Sequence, residues 1–232
     1  MLNWWLPENV TSFGEDIDWL FHLIYAITAI TGILVFVALI AFLVMYRDRP
    51  GRRARYTHGN TTLEIVWTVV PSLILVVLTF LSVPAWSKIK MSTPPTDFVV
   101  EVNAKQFNWQ VRYPGPDGKF GTDDDKQFLD ELHVPVNKPI KVVLKSQDVI
   151  HSFFVPSFRI KQDAVPGREI TAWFDANKPG KYEWPCAELC GFGHSGMKGR
   201  VYVHSPGDYA KWAAENLKAE GAAPAQEEKP KS

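Results

Sequence analysis

The residues best suited to chemistry stand close together near the C-terminal end of the chain. Residues 186–197 read CAELCGFGHSGM and offer two thiols, an imidazole and a thioether, at Cys186, Cys190, His194 and Met197. Such ligands select copper, zinc or iron and disfavour magnesium and calcium. Because the chain has no other cysteine, this four-residue spacing indicates metal or redox chemistry rather than a disulfide framework.

The ligand types narrow the choice of metal. A structural zinc site usually takes four Cys or His ligands and has no use for Met197. A blue-copper site uses one Cys, two His and a weak Met ligand on a β-sandwich, and this loop has that pattern with one extra Cys. Two thiolates in one loop can bridge two copper ions. The loop therefore favours copper and has enough sulfur to bridge two ions.

A second imidazole ligand must come from another strand. Of the six histidines, His22 lies in an apolar run, His58 in a basic connector, and His133 and His204 in strand contexts that look charged or exposed. His151 is the best placed, because it follows the strand pattern IKVVLK and the turn-like SQDV and precedes the apolar run FFVP. Alone it is more typical of an ordinary strand-end histidine. The sulfur-rich loop makes a ligand the better interpretation.

Two uncharged runs predict helices that cross a membrane. Residues 19–46 and 65–83 contain no Asp, Glu, Lys or Arg. The first is longer than the ~20 residues that a spanning helix needs, and the second just matches a hydrocarbon core of about 30 Å. Pro71 is expected to kink the second helix. A buried helix of a soluble protein seldom stays uncharged over so many turns.

The connector sets the orientation in the membrane. Residues 47–58 carry five Arg against one Asp, which places this loop in the cytoplasm. The acidic N-terminal tail, residues 1–18, and everything after the second span then lie on the extracytoplasmic side. A cleaved signal peptide fits less well, because the basic n-region is missing. With Lys+Arg and Asp+Glu both at 25, net charge excludes nucleic-acid binding as an organising principle.

The rest of the chain reads as an all-β head. Between residues 91 and 205, short alternating segments such as FNWQVRY, EITAWF and KGRVYVH are separated by Pro and Gly. Six or more such strands predict a sandwich or small barrel. Residues 206–220 are expected to form a terminal helix, and the composition of residues 221–232 predicts a disordered tail.

Taken together, these features resemble subunit II of the haem-copper cytochrome c oxidases. The resemblance rests on the hairpin, the β head, His151 and the ligand loop, and it covers about residues 15–215; LEIVWTVVP and IKQDAVPGR match as well. It implies a cupredoxin-like fold with a binuclear CuA centre, in which two shared thiolates spread one unpaired electron over both metals. The implied ligands are Cys186 and Cys190 as bridges, His151 and Met197 on one ion, and His194 and the backbone carbonyl of Glu188 on the other.

The resemblance also implies roles for two acids and an apolar rim. The side chain of Glu188 would help to hold magnesium or manganese at the contact with subunit I. Glu64 would lie at the cytoplasmic entrance of a proton channel, although solvation at the membrane boundary is an equally ordinary role. The rim would exclude water or simply pack the core; its residues are Phe153, Phe154, Trp184 and Phe192.

The electron-input region departs from the family pattern. Most members have Trp directly after Gln, whereas this chain reads Gln106-Phe107-Asn108-Trp109. Electrons are therefore expected to pass through Phe107, Trp109 or Tyr113, or to come from an unusual donor. The acidic block 117–126 fits a dock for a basic cytochrome, a solvated hairpin tip, or, more weakly, an Asp-rich calcium loop.

The implied function is electron input to a terminal oxidase in a bacterial plasma membrane or an equivalent energy-conserving membrane. Cytochrome c, or a membrane-bound c-type cytochrome, would reduce the head, and haem in subunit I would receive the electron for oxygen reduction coupled to proton translocation. Subunit III is a further expected partner. The chain has no Cys-x-x-Cys-His, so no haem is expected on it. The alternatives are a quinol oxidase subunit II, a nitrous oxide reductase, and a membrane-tethered copper chaperone or store.

Overall fold

The computed structural model describes residues 6–53 and 56–217 in two compact units. Residues 15–92 form a helical unit, and residues 6–14 together with 93–217 form the head. The predicted disordered tail, residues 221–232, lies outside the described residues. So does Arg55 of the basic connector.

The helical unit contains the two predicted apolar helices, α1 (Gly14–Met45) and α2 (Thr61–Trp86), and α2 continues into a π-helical turn at Ser87–Met91. Both are long and apolar enough to cross a membrane, and none of the residues in their most apolar stretches is buried within the protein. An ion pair of 3.1 Å joins Asp16 to Lys88, at the start of one helix and just beyond the end of the other. The predicted helical hairpin is confirmed.

Each helix begins several residues before its apolar run. Glu15 and Asp16 lie in the first turn of α1, where the helix dipole stabilises negative charge. In α2 the side chain of Asn60 accepts a hydrogen bond of 3.1 Å from the backbone of Leu63, and Glu64 lies in the first turn. Polar capping and charge therefore extend both helices beyond the residues that apolarity alone marks. The second helix continues through Pro71 to Trp86.

The head is built from ten strands among the described residues. They are β1 (Val99–Lys105), β2 (Asn108–Tyr113), β3 (Lys126–Leu129), β4 (Glu131–Pro135), β5 (Pro139–Ser146), β6 (His151–Val155), β7 (Ile160–Ala164), β8 (Ile170–Asp175), β9 (Gly180–Pro185) and β10 (Lys198–His204). The sheet orders are β3-β2-β1-β5-β8, β4-β10-β9 and β6-β7. Strand pairs β1–β5 and β4–β10 are parallel, and the others are antiparallel.

The two larger sheets enclose the core of the head. Alternate residues of β2 and β5 are buried, as a strand with one face in the core requires. Trp109 of β2 stacks on Trp184 of β9 with ring centroids 4.8 Å apart, and both side chains are fully buried. The all-β, cupredoxin-like sandwich predicted for the head is therefore confirmed.

The N-terminal segment before α1 is part of the head. Backbone hydrogen bonds join the amide of Val10 to the carbonyl of Ser157 at 3.0 Å and the amide of Asn177 to the carbonyl of Val10 at 2.9 Å. Val10 and Phe13 are fully buried, and the ring of Phe13 packs edge-on against Trp173 at 5.2 Å. We call residues 7–13 the N-terminal strap.

A short helix, α3 (Pro206–Asn216), covers one end of the sandwich. Ser205 caps its first turn, accepting a hydrogen bond from the backbone of Asp208. The ring of Trp212 stacks on His133 at 4.3 Å. The helix predicted for residues 206–220 thus ends at Asn216, and residues 218–220 lie outside the described part of the chain.

Candidate metal centre

Two neighbouring strand ends position the sulfur-rich loop. Cys186 directly follows β9, and Met197 directly precedes β10. The antiparallel pairing of these strands brings the two ends of the loop together, and the amide of Cys186 donates to the carbonyl of Met197 at 3.0 Å. The amide of Ala187 donates to the carbonyl of Ser152 at 3.1 Å, which ties the loop to the start of β6 beside His151.

The structure brings all six predicted copper ligands to one place. The sulfurs of Cys186 and Cys190 lie 3.9 Å apart, and both cysteines are free and buried. From Cys186 Sγ, the distances are 3.9 Å to His151 Nδ1 and 3.3 Å to the carbonyl oxygen of Glu188. From Cys190 Sγ, they are 3.5 Å to His194 Nδ1 and 3.9 Å to Met197 Sδ.

This donor set suits copper. The ligand atoms of His151, Cys186 and Cys190 all lie within 4.8 Å of one another. Two sulfurs that share a metal at about 2.3 Å can be no more than about 4.6 Å apart, and the separation of 3.9 Å meets that limit. Within the described residues, this is the only group of three or more His, Cys, Asp or Glu side chains close enough to hold an ion. Soft sulfur with imidazole favours copper over hard cations.

A carboxylate orients the ring of His151. Asp148 Oδ1 lies 2.9 Å from Nε2 of the imidazole and also accepts from the backbone of Val149 at 2.7 Å. Burial opposes ionisation of Asp148, but hydrogen bonds from Gln106, His151 and Val149 outweigh it and lower the pKa of the carboxyl. An ionised carboxylate only accepts, so the Nε2–H of His151 donates to it and Nδ1 keeps a lone pair for a metal.

Burial also acts on the thiol of Cys190. Desolvation, together with the neighbouring Cys186, raises the pKa of Cys190 to about 11. The metal-free thiol is therefore protonated at neutral pH, and a metal must displace its proton.

A turn between β1 and β2 covers the outer side of the loop. The side-chain amide of Gln106 donates to the carbonyl of Cys190 at 2.6 Å. The ring of Phe107 packs so closely on the loop that a Cβ added at Gly193 would lie 2.5 Å from it. This contact explains the need for glycine at that position.

The three predicted electron-input aromatics occupy different places. Phe107 is 37% exposed and lies against the loop, whereas Trp109 is fully buried with its ring 6.1 Å from that of His151. Tyr113 lies four residues further along β2, about 13 Å from Trp109, and both donates to and accepts from the backbone of His133. Burial raises the pKa of this phenol well above its ordinary value. Tyr113 therefore lies away from the ligand loop.

The residues of the predicted apolar rim also occupy different places, some buried and one exposed. Phe153 and Trp184 are fully buried and pack on each other at 4.8 Å, behind the ligands. Phe192, in contrast, is fully exposed at the tip of the loop, beside the 78% exposed Leu189. The expectation that Phe192 shields the site within this chain is wrong, because its ring projects away from the head.

The remaining predictions concern acidic side chains. The side chain of Glu188 is about half exposed and 3.9 Å from Lys161. Glu64 is exposed in the first turn of α2. In the acidic block, carboxylates bind backbone amides of their own loop: Asp117 Oδ1 accepts from Lys119 at 2.8 Å and Asp125 Oδ2 from Gly121 at 2.6 Å.

Asp148 and Gln106 are site residues that the sequence analysis missed. The carboxylate was open to prediction, because an acid close to a metal-binding histidine commonly accepts from its second nitrogen. The position of Gln106 depends on how the β1–β2 turn packs against residues 190–193. No local sequence pattern carries that information.

Comparisons with known proteins identify the family of this chain. Residues 2–85 match the family "Cytochrome C oxidase subunit II, transmembrane domain", and residues 121–203 match "Cytochrome C oxidase subunit II, periplasmic domain". Cytochrome c oxidase subunit 2 of Cereibacter sphaeroides is 34% identical, over 88% of this chain and 77% of that protein. The corresponding subunit of Thermostichus vulcanus is 31% identical, over 91% and 78%.

A further relative and a solved structure are also cytochrome oxidase subunits II. An alternative cytochrome c oxidase subunit 2 of Bradyrhizobium diazoefficiens is 31% identical, over 90% of this chain and 83% of the relative. The crystal structure of the periplasmic domain of cytochrome oxidase subunit II from Bradyrhizobium japonicum is 32% identical. It covers 54% of this chain and 96% of its own, with a TM-score of 0.48.

Proposed function

We propose, since this chain belongs to the cytochrome c oxidase subunit II family, that it is the electron-input subunit of a respiratory terminal oxidase. Family membership makes it a membrane-bound component of an oxidoreductase complex, with an extracytoplasmic head and other oxidase subunits as partners. The proposal adds the route: electrons come from cytochrome c, enter at the head and leave to haem in subunit I, where oxygen is reduced.

The observation that carries the proposal is the convergence of the six donor atoms. Cys186 and Cys190 would bridge two copper ions, with His151, Met197, His194 and the carbonyl of Glu188 as the remaining ligands. Such a pair of ions supplies a one-electron couple. The protein holds the ligands at strand ends and in the loop between β9 and β10. Buried Trp109, Phe153 and Trp184 exclude water behind them. Rigid ligands and a dry surrounding keep reorganisation small.

The decisive experiment counts copper on the full-length chain in detergent. We expect two copper ions per chain and a mixed-valence electron paramagnetic resonance spectrum with an electron shared between two nuclei. One readily exchanged Cu(I) would support a copper chaperone or store instead. The burial of Cys186 and Cys190 favours retention over exchange.

For electron input we propose Phe107 as the surface residue and Trp109 as the inner one. Phe107 is partly exposed against the loop, and Trp109 lies between the two sheets beside His151. In Phe107→Ala the rate of cytochrome c oxidation should fall while the copper spectrum stays unchanged. Phe107→Trp, with a larger aromatic ring, should retain the rate. Equal rates in all three proteins would remove this residue from the route.

The acidic block is proposed as the dock for a basic cytochrome c. Asp117, Asp123 and Asp124 lie on an exposed loop, where charge accelerates encounter and salt weakens it. Substitution of Asp123 and Asp124 by Asn should slow the association of cytochrome c at low ionic strength and leave it unchanged at high ionic strength. If the block is only a solvated hairpin tip, the substitutions should not change the association of cytochrome c at low or at high ionic strength.

We further propose that Glu64 loads protons at the cytoplasmic end of α2, in a bacterial plasma membrane or its equivalent. Its carboxylate is exposed in the first turn of α2, so it would be open to water if this end of the helix lies at the membrane boundary. Glu64→Ala should slow reduction of the oxygen site and leave the copper spectrum intact. Unchanged turnover would leave Glu64 as a solvated helix-start residue.

At the contact with subunit I, the half-exposed carboxylate of Glu188 is proposed to share magnesium or manganese with ligands of that subunit. Glu188→Gln in the assembled oxidase should lower the bound manganese while both copper ions remain. Subunit III is proposed as a further partner.

A further inference from the structure

Gln106 makes two hydrogen bonds that reach different ligands of the metal centre. Its side-chain Nε2 donates to the carbonyl oxygen of Cys190 at 2.6 Å. Its backbone amide donates to Asp148 Oδ2 at 2.7 Å, and the other oxygen of that carboxylate lies 2.9 Å from His151 Nε2. One residue thus contacts the backbone of the ligand residue Cys190 directly and the imidazole of His151 through a single carboxylate.

The loop is shaped to receive this side chain. Gly191 has φ +128°, and a Cβ at that position would lie 2.7 Å from Gln106 Nε2 and 3.3 Å from the ring of Phe107. Only glycine therefore allows the amide to approach the peptide that follows Cys190. The same turn places Phe107 over Gly193, so residues 106 and 107 pack on the loop side by side.

We propose that Gln106 is a positioning residue of the metal centre, which holds the Cys190–Gly191 peptide with its side chain and the Asp148 carboxylate with its backbone. This inference rests on the proposed metal centre. The carbonyl oxygen of Cys190 belongs to the same residue as a bridging sulfur, so fixing that peptide limits the directions that the sulfur can take. The amide bond to Asp148 fixes the acceptor that orients His151.

Gln106 also connects the proposed electron-input residue to the ligand loop. It is covalently bound to Phe107, the proposed surface residue for electron input, and hydrogen-bonded to the residue that supplies a bridging thiolate. One covalent and hydrogen-bonded connection from the surface ring to a ligand residue therefore runs through Gln106. A looser amide would alter both the ligand geometry and this connection.

The test removes the side-chain donor and leaves the backbone amide in place. Gln106→Met has a similar length and cannot donate, and Gln106→Asn keeps an amide but is one methylene too short to reach. Gln106 is exposed, so neither change disturbs the core. The matched control is Gln110→Met, because the Gln110 amide accepts from Gln147 at 2.9 Å without touching a ligand.

Three measurements on the copper-loaded full-length chain in detergent separate the variants: loss of copper to a chelator, the electron paramagnetic resonance hyperfine pattern, and the midpoint potential. Substitution of groups that orient metal ligands typically costs about 10-fold to 100-fold in affinity. We expect an increase of about 10-fold in copper loss, with a shifted potential and an altered hyperfine pattern, for both Gln106 variants. Gln110→Met should match the parent.

The outcomes distinguish this inference from the proposed function. If the parent chain binds no copper pair, the proposed function fails and Gln106 has no centre to position. If the parent has the binuclear spectrum and Gln106→Met and Gln106→Asn retain its copper, hyperfine pattern and potential, the positioning role is overturned. Should Gln106→Met fold poorly, as judged by thermal unfolding, Gln106→Asn decides alone.

Discussion

The head contains histidines near both ends of β10, and those at the two ends have different partners. At one end, His151 and His194 face the sulfurs of Cys186 and Cys190. At the other end, His133 Nδ1 and His204 Nε2 lie 2.9 Å apart and bind each other. The side chains are identical, but Asp148 leaves a lone pair free on His151, whereas His133 and His204 bind each other.

Packing accounts for the difference between the two ends. The loop at the metal end keeps its imidazoles beside thiols and a thioether. At the far end, flat rings enclose the histidines in what we call the histidine–aromatic cluster, which consists of His133, Tyr202, His204, Tyr209 and Trp212. His133 stacks almost parallel on Tyr202 at 4.5 Å and on Trp212 at 4.3 Å. The metal end can therefore bind an ion, whereas the histidine–aromatic cluster holds α3 against the head.

The largest expected effect tests the metal end alone. Cys186→Ser replaces a soft bridging sulfur by a hydroxyl that does not ionise at neutral pH, so the binuclear copper spectrum should disappear rather than weaken. His204→Gln, at the opposite end, should leave that spectrum unchanged. Copper content and electron paramagnetic resonance measure both variants. A binuclear spectrum in Cys186→Ser would refute the assignment of this cysteine as a bridge.

The next effect concerns the lone pair that His151 Nδ1 keeps for a metal. Asp148→Ala removes the acceptor of His151 Nε2–H, so the ring loses its fixed orientation and its preferred tautomer. Copper affinity should fall by about 10-fold to 100-fold, as measured by competition with a chelator. Asp163→Ala is the control, because this acid lies on the neighbouring strand and binds Ser152 rather than an imidazole. Equal affinity in the two variants would contradict the orienting role.

A smaller effect, on stability, is expected from a substitution in the histidine–aromatic cluster. Trp212→Ala removes the ring that joins α3 to His133, and truncating a partly buried aromatic of this kind should lower the free energy of unfolding by about 2 kcal/mol. The copper spectrum should not change. Denaturant unfolding and the spectrum of the same sample provide both values. An altered spectrum would mean that the two ends are coupled.

The smallest effect is a dependence of stability on pH. Burial lowers the pKa of His133, with His204 acting in the same direction and Glu131 opposing, and burial lowers the pKa of His204 against Asp208. The unfolded chain then binds more protons than the folded one, so stability is complete above about pH 6.5 and falls below it. The slope cannot exceed about 1.4 kcal/mol per pH unit for each proton by which the two states differ. Partial exposure of His204 limits the effect further.

Denaturant unfolding between pH 7.5 and 5 measures this slope. The charged groups around the pair are Glu131 of β4, Asp208 of α3 and Lys181, which lies over the ring of Tyr202 at 4.9 Å. In the double variant His133→Gln, His204→Gln the slope should decrease. An unchanged slope would assign the pH dependence to other groups.

Residue types and spacing were enough to predict the helical hairpin, the β head and a metal-ligand set that the fold brings together. Long uncharged runs and paired sulfurs are strong local signals. The helix starts were less accurate, because Asn60, Glu15 and Asp16 stabilise turns that are not apolar. Strands β3, β4, β6 and β7 were not identified, since they are short or, in β7, largely polar.

His133 shows what local sequence cannot supply. Its neighbour Glu131 makes the segment look exposed, yet His133 is buried. Strand β4 is covered because it pairs in parallel with β10, about seventy residues later, and because α3 lies over it. Gln106 is similar, since its contact with Cys190 joins residues 84 positions apart. Such contacts follow from the assembled fold and not from any pattern within one segment.

The N-terminal strap has a practical consequence for anyone who isolates the head as a water-soluble fragment. A fragment that starts after the second membrane helix would lack Val10 and Phe13, two fully buried side chains, and would leave Trp173 without its edge-on neighbour. Losing that burial costs on the order of 3–6 kcal/mol, a large part of the stability of a domain of this size. Fusing residues 7–13 through a flexible linker to a fragment that begins near Thr93 would restore the missing piece.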